Sequence, residues 1–226
     1  MLESRQMPVP PFILASNSPR RRQLLALTGR DFVVHAANID EQTRPGETPD
    51  AYVLRLAAEK ARAASQGNTG LVLGSDTTVA LGSDIFGKPA DPAEARAMLK
   101  TLRARSHTVY TAIAIYVPAS RQTFSELCAT QVPMRDYSDV EIETYIQSGD
   151  PLDKAGAYAI QHAEFHPVEH FAGCFASVMG LPLCHLERTL RSLNTPSPLD
   201  VPVACQAELS YHCPIYAAVL RGETAD

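Results

Sequence analysis

Three times in its first hundred residues the chain sets a capping residue directly before a proline: Ser18-Pro19, Thr48-Pro49 and Asp91-Pro92. A side chain that can accept from the first turn, followed by a proline whose missing N–H costs nothing there, marks a helix start. Short apolar runs precede each one: PFILAS, FVVHAA (32–37) and GLVLGSDTTVAL (70–81). Such runs read as strands, the last as a strand, a turn at Gly74 to Asp76, and a second β segment. Strands alternating with capped helices restrict the chain to an α/β architecture.

The rest of the chain extends the pattern. A polar hairpin around Gly82 to Asp84 leads to IFGKP, and the Asp91 helix runs to about Arg103. HTVYTAIAIYV (107–117) alternates and is rich in β-branched residues, and TFSELCATQVPM (123–134) is expected to pair with it as a hairpin. Ser138 starts another helix, and GCFASVMGLPLCHLERTLRSL (173–193) ends in an amphipathic one. The order βαβαβαββα predicts a mixed central sheet with flanking helices.

One helix start breaks a rule that the others keep. Asp50, Glu94, and Asp139 with Glu141 place acids in the first turns after Thr48, Asp91 and Ser138. Those acids face the positive end of the helix dipole, where they are favourable. The Ser18 helix instead carries Arg20, Arg21 and Arg22 there, each unfavourable by roughly 0.3–1 kcal/mol at an exposed site. A bound anion resolves the conflict, held by backbone N–H groups, the Ser16 and Ser18 hydroxyls and the guanidinium forks. Phosphate or polyphosphate is the natural candidate. The chain carries a net charge of −5, so neither nucleic acid nor an anionic membrane is expected as a partner, and a local basic cluster is the more telling.

Other charged residues stand at element ends. Asp76 falls in LVLGSDTTVAL beside Gly74 and Thr77. Close to an anion site such a carboxylate needs a hard divalent cation or serves as a general base; as a local feature it reads equally as a turn-forming hairpin cap. Asp40 and Glu41 lie in the loop after the second strand; they could complete such a site, but as loop acids they read first as solvated charges. Lys60 borders the apolar face of the long helix, Lys88 precedes a proline in FGKPADP, and Lys154 sits in DKAG. Together they have the composition of a site for a metal-bound polyphosphate. There is no GxxxxGK[ST] loop, no GxGxxG fingerprint and no GxSxG elbow, which disfavours P-loop, dinucleotide and serine-hydrolase chemistry. His162, His166 and His170 repeat every four residues, but Pro167 breaks any shared helical face.

LASNSPRRRQLL, IDE, RLAAEKA, GSDTTV, GKPADPAEARAMLKTL, HTVYTAIAI, DKAGAYAIQ and GLPL occur in order between about residues 12 and 193. On these pieces the chain resembles the Maf family of nucleoside triphosphate pyrophosphatases, related in fold to the inosine-triphosphatase group. The resemblance implies two lobes around a cleft and hydrolysis of a nucleoside triphosphate to the monophosphate and pyrophosphate with a divalent cation, Mg²⁺ or Mn²⁺. It makes Ser16, Ser18, Arg20, Arg21 and Lys60 substrate binders and Asp76 the catalytic base. Glu41 and Lys88 join Asp76 in the catalytic set, and Glu41 and Asp76 are the implied metal ligands. Arg20, Thr77 and Gln161 match the positions that choose dTTP and UTP in one branch, with pseudo-UTP or 5-methyl-UTP as further substrates. The competing readings are a nucleotide-binding regulator of cell division that scarcely hydrolyses, and a pyrophosphatase for purine or 7-methyl-GTP substrates.

The chain departs from the family pattern at His162, where Gly is usual and where a larger ring would narrow the base pocket, and at Cys174 and Ser177. It also continues past the family's usual end. The expected division is a nucleotide pyrophosphatase domain over residues 1–195 and an extension over 196–226, beginning with the Pro-rich NTPSPLDVPV. The extension's apolar and aromatic content argues against disorder, so it is expected to pack on the body or on a partner subunit, a homodimer in the latter case. Residues 1–12 carry no apolar leader and no run approaches the roughly 20 residues of a membrane span, so a cytoplasmic location is expected.

Overall fold

A computed structural model describes residues 11–223; residues 1–12, where no apolar leader is expected, lie mostly outside them, as do the last three residues of the extension. The α/β class with a mixed sheet holds. Strands β1 (Phe12–Leu14), β2 (Phe32–Val34), β3 (Val72–Leu81), β4 (Asp84–Phe86), β5 (Ser106–Val117) and β6 (Gln122–Pro133) form one sheet in the order β2-β1-β3-β5-β6, with β4 paired to β3 off that path. β1 runs parallel to β2 and β3, while the β3–β5, β5–β6 and β3–β4 pairs are antiparallel. Helices α1 (Pro19–Ala26), α2 (Pro49–Ala64), α3 (Pro92–Leu102), α4 (Asp139–Gln147), α5 (Phe175–Met179) and α6 (Leu183–Ser192) flank it. No helix among the described residues is long and apolar enough to cross a membrane.

Three of the four expected caps accept as the sequence predicts; Thr48 stands at the start of α2, but its side chain makes no capping hydrogen bond. Asp91 accepts from Glu94 N, and Ser138 and Glu141 form a reciprocal capping box. Ser18 accepts from Arg21 N, and no acid follows it in the first turn of α1.

The turn expected at Gly74 to Asp76 is not there. β3 stays extended through it, because residues 72–80 pair without a break against β5, with Gly74 opposite Ala114 and Asp76 opposite Ala112. The glycine serves packing. A Cβ on Gly74 would lie 2.1 Å from the Ala57 carbonyl oxygen and 2.8 Å from Ala61 N, so its absence lets the backbone of α2 lie directly on the strand. The first strand after α1 is also shorter than 32–37, ending at Val34 where its partner β1 ends.

β3 is built to hold a site on its other edge. β1 pairs with that edge at Val72 and Leu73, and β4 pairs with it from Val79 onward. Residues 74–78 between them have no strand partner on that side among the described residues. The gap opens where β1 turns into α1, at the carboxyl end of a parallel strand, the usual place for a ligand in an open α/β sheet.

Buried side chains form three clusters. Val53, Ala57, Ala61 and Val72 join α2 to one face of the sheet, and Leu24, Leu73, Ile113 and Leu186 pack on the other. Met98, Leu99, Tyr137 and Ile142 center a third cluster around α3 and α4. Burying each large aliphatic side chain stabilises by roughly 1.5–3 kcal/mol, which fixes α2, and therefore Lys60, against β3.

The extension packs on the body. It forms α7 (Val201–Leu209) and α8 (Tyr216–Arg221), and Val201 is buried in the same cluster as Leu186 and Leu190. The proline-rich stretch is only partly a linker: Asp200 caps α7 by accepting from Val203 N, and Pro202 sits in its first turn.

Candidate active site

The break in the β3 edge opens into a cleft of about 660 Å³. Ten of the candidate residues border it: Ser16, Ser18, Arg20, Arg21, Glu41, Lys60, Asp76, Thr77, Lys88 and Gln161; Asp40, the other loop acid, does not line it. They come from the β1–α1 turn, the loop before α2, α2 itself, β3, the segment after β4 and the segment after Ala159.

Lys60 is the hub of the negative side. Its Nζ lies 2.6 Å from Asp76 Oδ1 and 2.8 Å from Glu41 Oε1, so one buried ammonium joins two carboxylates. It is therefore a cleft residue rather than a side chain reaching out to solvent. Burial pushes the Asp76 carboxyl above the usual carboxylate range; Lys60 and Arg21 oppose the rise, and Glu41 adds to it.

The loop carrying Glu41 is pinned. Tyr52 Oη donates to the Glu41 carbonyl at 2.8 Å, and Arg55 donates to the Gln42 carbonyl at 3.0 Å while gripping Glu47 through both oxygens. That bidentate bond holds the Glu47 carboxyl down at about 2.

Arg21 is the hub of the positive side. Its Nε donates to the Gly180 carbonyl at 2.9 Å, Nη1 to Ser16 Oγ at 3.4 Å and Nη2 to Thr77 Oγ1 at 3.2 Å. Burial lowers its pKa, and Asp76 works against that shift. Behind Thr77 stands the buried Thr111, 3.0 Å away, which also donates to the Ser177 carbonyl at 2.8 Å. A hydroxyl has one proton and a carbonyl only accepts, so Thr77 supplies the proton between the two threonines. Its remaining acceptor capacity then goes to Arg21. Thr77 thus acts on whatever the cleft holds at least partly by aiming that guanidinium.

The remaining cations differ in freedom. Arg20 Nη1 is 3.5 Å from Asp153 Oδ2 at the cleft edge, and Arg22 is exposed away from it. Lys88 is exposed on the rim. Lys154 borders the cleft but is committed to Asp150 and Asp153, at 2.8 and 2.6 Å, so it is not a free phosphate ligand. Five cations face three carboxylates in the cleft lining, on a chain whose net charge is −5. The cleft therefore favours an anion over its surroundings.

His162 does not narrow the cleft. It is not among the lining residues: its ring stands edge-on to Tyr145, with centroids 4.7 Å apart, and its Nδ1 accepts from Phe165 N. The residues that sequence reasoning missed are Tyr52, Thr111, Asp153 and Gly180.

Glu41 and Asp76 offer an incomplete carboxylate set for a hard cation, which a phosphate ligand would extend. Among the described residues there is no group of three or more His, Cys, Asp or Glu side chains with metal-binding geometry. Asp76 and Glu41 each turn one oxygen to Lys60, and among the described residues no hydrogen bond or ion pair engages the second oxygen of either. Two carboxylates with substrate phosphates are the donor set that Mg²⁺ commonly takes.

The sequence and its relatives bear on this cleft. A family model described as "Maf-like protein" matches residues 11–193. The chain is 44% identical over 195 residues to the dTTP/UTP pyrophosphatase of Anaeromyxobacter dehalogenans, covering 85% of this chain and 99% of that one. It is 46% identical over 187 residues to the dTTP/UTP pyrophosphatase of Myxococcus xanthus, covering 82% and 94%, and 43% identical over 191 residues to that of Shewanella denitrificans, covering 80% and 96%. Among solved structures, the Ham1 protein of Staphylococcus aureus aligns with a TM-score of 0.38 at 14% identity, over 55% of this chain and 72% of that one.

Proposed function

The chain belongs to the Maf family, and from that premise we propose that it hydrolyses the nucleoside triphosphates dTTP and UTP to the monophosphate and pyrophosphate. The observation that carries this reading is the meeting of Arg21, Lys60 and Asp76 in one cleft, at the helix start that breaks the dipole rule. The family match and the names of the relatives support it; the roles of individual residues are part of the proposal.

The triphosphate lies with its phosphates toward the start of α1, against Arg20 and Arg21, with Lys60 and Lys88 completing the clamp. These charges are in place before the reaction, so they stabilise the developing charge of the departing pyrophosphate without reorganising. Asp76 takes the proton of a water that attacks the α phosphorus in line with that leaving group. Lys60 fixes the rotamer of Asp76 and favours its ionised form against the pull of burial. Glu41 and Asp76 would hold a divalent cation, Mg²⁺ or Mn²⁺, which would neutralise charge on the phosphates. Thr77 and Gln161, with Arg20, distinguish the base. The expected two-lobed form belongs to the same reading and is supported by the cleft drawing its lining from all three core clusters, through Ala15, Met179 and Val109.

A substrate panel tests the proposal. Purified protein is given dTTP, UTP, pseudo-UTP, 5-methyl-UTP, ATP, GTP, ITP and 7-methyl-GTP with Mg²⁺ or Mn²⁺, and pyrophosphate is measured. Pyrophosphate from the pyrimidine nucleotides well above the purines is expected. Preference for purines or 7-methyl-GTP would overturn the substrate assignment, and binding without pyrophosphate would favour a nucleotide-binding regulator.

A further inference from the structure

The extension lies beyond residue 193, where the family match ends, yet it is tied to the body at several points. Arg30 donates to the carbonyls of Thr195 and Pro196, Arg188 Nη1 donates to the Val219 carbonyl at 2.7 Å, and Val201 is buried in the core. From this anchored base Tyr211 reaches back to the segment that enters α5. Its hydroxyl donates to the Gly173 carbonyl at 3.1 Å, and its ring centroid lies 5.5 Å from that of Phe171 and 5.4 Å from that of Phe175.

That segment is held from the other side as well. A Cβ on Gly173 would lie 2.5 Å from Thr130 Cγ2, so the loop is seated hard against β6. Next to it, Cys174 caps α5 by accepting from Ser177 N at 3.4 Å. α5 has only five residues, far short of what a helix needs to be stable by itself, so its placement depends on what grips its ends.

The exit of α5 is where the anion clamp is aimed. The Gly180 carbonyl accepts from Arg21 Nε and from Ser75 Oγ, each at 2.9 Å, and the Ser177 carbonyl accepts from Thr111, which backs Thr77 and through it Arg21 Nη2. Two of the three groups that orient the Arg21 fork therefore rest on α5. We propose that the C-terminal extension is a positioning element for the anion clamp, with Tyr211 the positioning residue that acts on Arg21 through α5. This rests on the reading of Arg21 as a phosphate ligand. A shift of α5 by a fraction of an ångström misdirects a bidentate donor, and misplacement on the scale of 1 Å can cost about a hundredfold.

The test is a double-mutant cycle on the full chain, with inorganic tripolyphosphate as the probe and binding measured well below the melting temperature of every variant. Tyr211→Ala should weaken tripolyphosphate binding roughly tenfold, and Tyr211→Phe, which keeps the ring packing and loses the hydrogen bond, roughly threefold. In an Arg21→Ala background neither substitution should change the residual affinity. A purely structural tyrosine would lower the melting temperature and leave binding unchanged, and that result overturns the proposal. So does an equal loss with Arg21 absent. If Tyr211→Ala does not fold, Tyr211→Phe decides alone by the same comparison, and unaltered binding overturns the proposal. A wild-type chain that fails to bind tripolyphosphate overturns both this proposal and the reading beneath it.

Discussion

Asp76 occupies a position that stability alone would not choose. Burial raises its pKa in the folded chain, so the folded state binds the proton more tightly than the unfolded one, whose value is near 3.9. The stability from this group is present below about pH 3.9 and is lost as the pH rises through the folded value. Asp76→Asn is therefore expected to retain nucleotide binding, to lose roughly 10²–10⁴-fold in turnover, and to melt at the same temperature or higher at pH 7. Full turnover in that variant removes Asp76 from the mechanism. Lys60 pulls in the opposite direction. Lys60→Met should raise the Asp76 pKa further and move the acid limb of the kcat/KM profile to higher pH. A profile that keeps its acid limb in place would show that Lys60 does not set the ionisation of Asp76. At this scale the arginines of α1 were legible, because a cation at a positive helix end conflicts with a rule that needs only sequence; Lys60 could be placed only at the border of an apolar face, and its burial follows from the packing of α2. Their pairings were not. Lys60 and Asp76 meet because α2 folds back on β3, and the Gly180 carbonyl leaves no mark in the sequence because every residue has one.

The elements show why local signals succeed or fail. The starts of α1 to α4 could be read because their signals are local: Ser18 and Pro19 for α1, Pro49 and Asp50 for α2, Asp91, Pro92 and Glu94 for α3, and Ser138 with Glu141 for α4. The Gly-Ser-Asp of β3 has equally local turn chemistry, but the unbroken ladder to β5 overrides it. The glycine answers to a helix thirteen or more residues away in the chain, a contact that no window of sequence contains. Gly74→Ala would force its Cβ to within 2.1 Å of the Ala57 carbonyl oxygen and push α2 off the sheet. The expected result is destabilisation by about 1–3 kcal/mol or more, with lost activity, since Lys60 travels with α2. Denaturant unfolding and turnover of the variant check this, and wild-type values for both would mean that α2 and β3 are not so tightly joined. At the extension, the run of prolines conceals a helix start, because proline in the first turn favours a helix while proline between elements favours a linker.

On the scale of the whole molecule, an acidic chain sets five of its twenty lysines and arginines around one cleft, whose lining is drawn from between Ala15 and Gly180. The class of fold was legible from the alternation of strands and capped helices. The sheet order was not, since it depends on which strands meet across the core; nor was the seating of the extension, which answers to buried contacts with α6 and the α5 entry. The same arrangement makes a definite chemical claim: the phosphates are held at the start of α1 while the base on β3 delivers water to the α phosphorus. Hydrolysis of UTP in ¹⁸O-enriched water, with mass analysis of both products, tests that claim most directly. The account predicts the label in the monophosphate and none in the pyrophosphate. Label in the pyrophosphate, or products other than monophosphate and pyrophosphate, would contradict it.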